Sequence, residues 1–150
     1  MVTQNNSNKG KKTELMIASH LIDNDLEVYL PVVDTGIDML VRKGDGAIVE
    51  LQVKSRDFKD DEGDFFIKDY KSAQALNFFI VLVDLRTNDF WVYPSMTFRS
   101  YAEQYKQKGK DYLRLPFSFV NNNTYWKNKN GVNLILKALQ KQIERGGLVR

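Results

Sequence analysis

Asp38, Gln52 and Lys54 are the residues of this chain whose types and spacing can do chemistry together. Asp38 stands near the start of Gly36-Ile37-Asp38-Met39-Leu40-Val41. A tight turn, Lys43-Gly44-Asp45-Gly46, follows, and then Glu50-Leu51-Gln52-Val53-Lys54. Strand side chains alternate faces, so Glu50, Gln52 and Lys54 share one face while Val49, Leu51 and Val53 fill the other. A lysine beside an acid and a side-chain carbonyl in an apolar strand is expensive to desolvate unless it is used. Phosphodiester hydrolysis needs a nucleophilic water, a cation to offset charge on the scissile phosphate, and a proton for the leaving oxygen. Asp38 can hold a divalent ion directly, Gln52 can add its side-chain oxygen, and the backbone carbonyl of Val53 lies between. Lys54 can orient or deprotonate the attacking water and neutralise charge building on phosphorus. Such a set reads as a metal-dependent hydrolytic site.

The elements that must position these residues are a hairpin and a helix. Ile37–Arg42 and Ala47–Lys54 read as strands joined by the Gly44-Asp45-Gly46 turn. Thr13–Asp23 reads as a helix with Glu14, Ile17, Ala18 and Leu21 on one face, which can bring a second carboxylate, Glu14, to the hairpin. Residues 1–12 read as a flexible basic tail and 13–150 as one domain. Glu27–Leu30 is a short strand stopped by Pro31, and Asp57–Asp64 a charged loop. Phe65–Ile67 is a further strand and Tyr70–Leu76 a short helix. Phe78–Val83 is an unbroken apolar run, a strand buried on both faces, with Phe90–Tyr93 beside it. A helix capped by Ser95 or Thr97 is expected to run toward Gly109, and a last strand to span Tyr112–Phe119. Val132, Ile135, Leu136, Leu139 and Ile143 form the stripe of a C-terminal helix closed by Gly146-Gly147. The fold class is α/β: a single domain with a central mixed β-sheet flanked by helices.

Composition removes several alternatives. The chain of 150 residues has no cysteine, so thiolate metal sites, disulfides and thiol catalysis are excluded. Its single histidine, His20, rules against a Ser-His-Asp triad or a multi-histidine metal site. Carboxylate, amide and backbone oxygens remain as ligands, and these suit hard ions such as Mg²⁺ or Mn²⁺. A net charge of +3 permits nucleic-acid binding without demanding it. No apolar run approaches the roughly 20 residues that span a bilayer, and the polar stretch Met1–Lys12 leads to the expectation of no signal peptide and a cytoplasmic setting.

Glu14, Gly36-x-Asp38 and Gln52-x-Lys54 followed by Ser55 resemble the PD-(D/E)XK nuclease superfamily over roughly Thr13 to Val83. The resemblance implies a restriction-endonuclease-like fold. It also implies Asp38 as principal metal ligand, position 52 as second ligand, Lys54 as catalytic lysine and Glu14 as helix acid. Ile37 stands where the motif has proline, and Gln52 where it has Asp or Glu. A Gln-x-Lys variant of this kind is similar to group I intron homing endonucleases of the same fold. Glutamine is neutral, so Glu50, about 7 Å along the same strand face, is a flanking carboxylate that can supply the lost charge. Gln74 on the short helix is an accessory candidate.

Each residue also has an ordinary structural role. Asp38 can cap a turn, Gln52 and Lys54 can lie on an exposed sheet face, and Glu14 can flank a helix start. The weight lies in the combination, arriving in the expected order. Lys9, Lys11 and Lys12 form a basic arm, with Arg56 and Lys71 around the site, that can contact phosphates. Tyr125, Trp126, Lys127 and Lys129 mix aromatics and cations suited to bases and backbone, or form a surface loop whose Trp126 packs down. His20 is expected to face solvent. Two functions follow. One is a Mg²⁺-dependent DNA endonuclease acting as a homo-oligomer, dimer or tetramer, so that both strands are cut. The other is a catalytically inactive relative of that fold that binds nucleic acid or a protein partner.

Overall fold

Ala47–Arg56 alternates apolar and polar side chains, and the fold is assembled around it. The computed structural model describes residues 2–33, 36–44, 46–58, 62–68 and 77–149, with side chains omitted for 2–6 and 147–149. The elements run α1 (Val2–Ile22), β1 (Glu27–Tyr29), β2 (Met39–Lys43), β3 (Ala47–Arg56), β4 (Asp64–Lys68), β5 (Phe78–Asp84) and β6 (Phe90–Pro94). Then come α2 (Ser95–Tyr101), β7 (Glu103–Gln107), β8 (Lys110–Pro116), α3 (Phe117–Asn121) and α4 (Lys129–Val149).

The main sheet is mixed, ordered β1-β2-β3-β5-β6, with β3 and β5 parallel and the other pairs antiparallel. All seven residues of β5 are buried, as an unbroken apolar run at the centre of a sheet covered on both faces requires. On one face Val49 and Leu51 meet Ile17 and Leu21 of α1 and Val132, Ile135 and Leu139 of α4. Each such fully buried aliphatic side chain contributes about 1.5–3 kcal/mol. The C-terminal stripe therefore serves the core. On the other face Phe78, Ile80 and Leu82 pack against Phe65, Ile67, Leu113, Leu115, Phe98 and Phe117. Most of these belong to a second, three-stranded sheet, β4-β8-β7.

Several boundaries differ from the sequence reading. The helix expected from Thr13 starts at Val2, so Lys9, Lys11 and Lys12 sit on helical turns rather than on an extended arm. A Lys11–Glu14 ion pair at 2.9 Å and a Thr13 hydroxyl donating to the Lys9 carbonyl at 2.8 Å tie those turns together. The helix expected to reach Gly109 stops at Tyr101, because Ala102 is extended (ψ 146°) and leads straight into β7. Its N-cap is Pro94, and neither Ser95 nor Thr97 caps it. The last strand is Lys110–Pro116, after which α3 begins at Phe117. Finally, α4 passes through Gly146 and Gly147 to Val149 instead of closing there. The expected helix Tyr70–Leu76, with Lys71 and Gln74, lies outside the described residues. Among the described residues no helix is long and apolar enough to cross a membrane.

Candidate active site

The hairpin brings Asp38 and Gln52 face to face. Gly36, at φ 85°, makes a turn that most side chains would resist, and two residues later Asp38 joins the edge of the β2–β3 ladder. The Asp38 amide donates to the Leu51 carbonyl at 2.8 Å, and its Oδ2 accepts the Val53 amide at 2.6 Å. These two bonds bracket Gln52, which the register places directly opposite Asp38, one step beyond the Met39–Leu51 pair. A backbone amide thereby orients the carboxylate.

Gln52 Oε1 is buried and has no hydrogen-bond partner among the described residues. An orphaned buried carbonyl oxygen costs about 1–3 kcal/mol until a donor or a cation meets it. Beside a carboxylate and the Val53 backbone, the donor chemistry is all oxygen and suits Mg²⁺ or Mn²⁺. Among the described residues no three His, Cys, Asp or Glu side chains gather into a metal cluster, so any ion here relies on the amide and backbone oxygens.

Glu14 reaches the site through a cation. It is half-buried and holds Lys11 Nζ at 2.9 Å; the Glu14 hydrogen bond and charge, with a further contribution from Asp38, hold the Lys11 ammonium above its usual pKa. Two carboxylates from different elements thus act on one positive group. Glu50 shares the Asp38–Gln52 face, opposite Leu40 on one side and Phe78 on the other. Lys54 is exposed and makes no ion pair among the described residues. The desolvation cost inferred for it from sequence therefore does not arise: β3 extends past its antiparallel partner, and the side chain leaves the sheet into solvent.

The remaining candidates divide. Lys9 and Lys12 line a cleft of about 470 Å³ with Asp57, Leu85 and Asn88, at the C-terminal ends of β3 and β5. Arg56 donates to the Asp64 carbonyl and lies 5.5 Å from the Phe58 ring. Trp126 packs on the core, 5.8 Å from Tyr93, and Lys127 pairs with Asp89 at 3.4 Å over the Trp91 ring. Asn128 pins this segment to β6: its Oδ1 accepts the Phe90 amide at 2.9 Å and its Nδ2 donates to Asp89 at 3.0 Å. That bond lowers the Asp89 pKa. Tyr125 and Lys129 stay exposed, as does His20, whose ring lies tilted 5.1 Å from that of Phe90. Sequence reasoning named Lys11 only as part of a basic arm; its i, i+3 spacing from Glu14 was the signal for its real partner.

The fold is that of a nuclease-type α/β domain. A family model for PD-(D/E)XK endonucleases matches residues 4–93, and the chain belongs to that family. Among solved structures the chain is similar to the bacterial homing endonuclease I-Ssp6803I, at 20% identity and a TM-score of 0.62. That match covers 91% of this chain and 95% of the other, and it shows a shared fold. No curated protein matches the chain.

Proposed function

We propose that the protein is a DNA endonuclease that hydrolyses phosphodiester bonds with Mg²⁺ or Mn²⁺. The observation that carries this reading is the oriented Asp38 carboxylate opposite the unpartnered Gln52 Oε1. Asp38, Gln52 Oε1 and the Val53 carbonyl would hold the ion, which when bound supplies positive charge to stabilise the anionic transition state. The Val53 amide fixes the carboxylate, so no reorganisation is needed as charge develops. Lys54 brings its ammonium to a non-bridging phosphate oxygen and orients the attacking water. Glu14 holds Lys11, whose ammonium also feels the Asp38 charge, and so ties α1 to the site.

Homing, restriction and resolvase-like cutting are all variants of this reaction. A single site cuts one strand, so cutting a duplex through takes two copies. An uncovered apolar run at Tyr29, Leu30, Val32 and Val33, beside edge strand β1, supports a homo-oligomer. Supercoiled plasmid incubated with Mg²⁺, Mn²⁺ or EDTA tests the reading. Nicking or linearisation is expected only with metal and is expected to vanish in Lys54→Ala; a wild-type rate in that variant refutes it.

A non-catalytic binding protein is the second reading, favoured by the neutral residue at 52 and the absence of a three-carboxylate cluster among the described residues. It expects no Mg²⁺ heat in calorimetry and a DNA affinity indifferent to Lys54→Ala.

A further inference from the structure

β7 and the outer end of β8 form a two-stranded ribbon that buries almost nothing. Every residue from Glu103 to Asp111 is exposed. Among the described residues β4 pairs with β8 from Tyr112 to Pro116, and residues 106–111 lie beyond that pairing. The tip is a two-residue loop, Lys108 and Gly109, at φ 51° and 74°, closed by Gln107 opposite Lys110. An isolated ribbon of this kind is marginal in water and gains no core energy here. Its charge leans positive: Lys106, Lys108 and Lys110 outnumber two acids, Asp111, which Lys106 meets only at 3.9 Å, and Glu103, which pairs with Arg114.

The ribbon is also continuous with the candidate site. On its outer face the Arg114 guanidinium lies 6.0 Å from the Tyr105 ring, and Tyr105 lies 5.7 Å from Phe66. Arg56 lies 5.8 Å from the other side of that chain, at Phe66. Arg56 follows Lys54 by two positions on β3 and so shares its face. A track of guanidinium and aromatic groups therefore runs from Lys54 to the ribbon.

We propose that this ribbon enters the major groove of the DNA duplex and selects where the strand is cut. The proposal rests on the nuclease reading above. A major groove about 12 Å wide admits a two-stranded ribbon, whose strands lie about 4.8 Å apart. Lys106, Lys108 and Lys110 reach the flanking phosphates. Gln107, whose amide offers the donor and acceptor that an adenine edge requires, faces the bases. From Tyr105 to Lys108 the strand spans roughly 10 Å, about three base-pair steps.

The test is fluorescence anisotropy of a mixed-sequence DNA duplex in EDTA across a salt series, comparing wild type with Lys106→Ala/Lys108→Asn/Lys110→Ala. Asn is chosen at 108 because it tolerates positive φ. The triple variant is expected to melt like wild type, to bind at least about tenfold more weakly, and to lose about 2.7 from the log–log salt slope, 0.9 per phosphate. Gln107→Ala is expected to keep the slope but to change the sequences recovered from a randomised duplex pool. A triple variant with wild-type affinity and slope overturns the ribbon, as does a wild type that binds no DNA. Unchanged recovered sequences in Gln107→Ala overturn the base-reading role. A wild type that binds through the ribbon yet cuts nothing with Mg²⁺ or Mn²⁺ refutes the nuclease reading alone.

Discussion

Replacing Gln52 by methionine should stabilise the metal-free protein while abolishing its response to metal. Methionine keeps the length of glutamine but removes the buried Oε1 that lacks a partner among the described residues. Relieving an unsatisfied buried carbonyl is worth about 1–3 kcal/mol, and one kcal/mol moves the melting temperature of a chain this size by about 2–4 °C. In EDTA, Gln52→Met should therefore melt roughly 2–12 °C above wild type. With Mg²⁺ at a hundred times its dissociation constant, the wild type should gain about 2.7 kcal/mol and the variant far less, so the order narrows or reverses. The same variant should lose plasmid nicking. Differential scanning fluorimetry with and without EDTA reads the first two effects. If Gln52→Met melts below wild type in EDTA, Oε1 is satisfied in the free protein and the metal argument fails. If the variant keeps the wild-type rise with Mg²⁺, the ion is held elsewhere.

Other outcomes follow from neighbouring contacts. Lys54→Ala should lower cleavage by about 10²–10³-fold while leaving stability within about 0.5 kcal/mol, since the side chain is exposed; Asp38→Ala should lose activity and also about 1–2 kcal/mol, because the Val53 amide loses its acceptor. Glu14→Gln should lower the Lys11 pKa toward 10.5, read by NMR titration of its side chain, and weaken Mg²⁺ binding in calorimetry. Asn128→Ala should destabilise by about 1–3 kcal/mol and raise the Asp89 pKa. Because Asp89 titrates lower folded than unfolded, its contribution is complete above the ordinary value of 3.8 and fades as pH falls through the folded value; the wild-type advantage in chemical denaturation should shrink below that pH. Gly131→Ala would place a Cβ 2.6 Å from both the Trp126 carbonyl and Val92, and should cost about 1–3 kcal/mol in thermal melts.

What was legible in the sequence was whatever burial writes into it. Val49 and Leu51 alternate with polar partners because β3 has one face against α1 and α4, and the run Phe78–Val83 is apolar throughout because both faces of β5 are covered. β7 was illegible for the opposite reason: Glu-Gln-Tyr-Lys-Gln is exposed at every position, so no periodicity marks it as a strand. The N-terminal turns of α1 carry polar residues all round and gave no helical stripe. At the site, residue types pointed to the pairing of Asp38 with Gln52. Sequence could not show that Oε1 is buried without a partner among the described residues, nor that Lys54 emerges into solvent.

The pairing of Asp38 with Gln52 also bears on the order in which the protein assembles. The β2–β3 hairpin is a local contact closed by a short turn, whereas β3 meets β5 in parallel only after a long crossover. Short loops close cheaply and early, while parallel partners separated by a crossover come together slowly. The chemistry-bearing hairpin is thus the low-contact-order part of the sheet, able to form its Asp38–Val53 bond before the central strand pair is complete. The three oxygens proposed to hold a cation thus all lie within this one local unit and depend on no long-range strand pairing for their mutual placement.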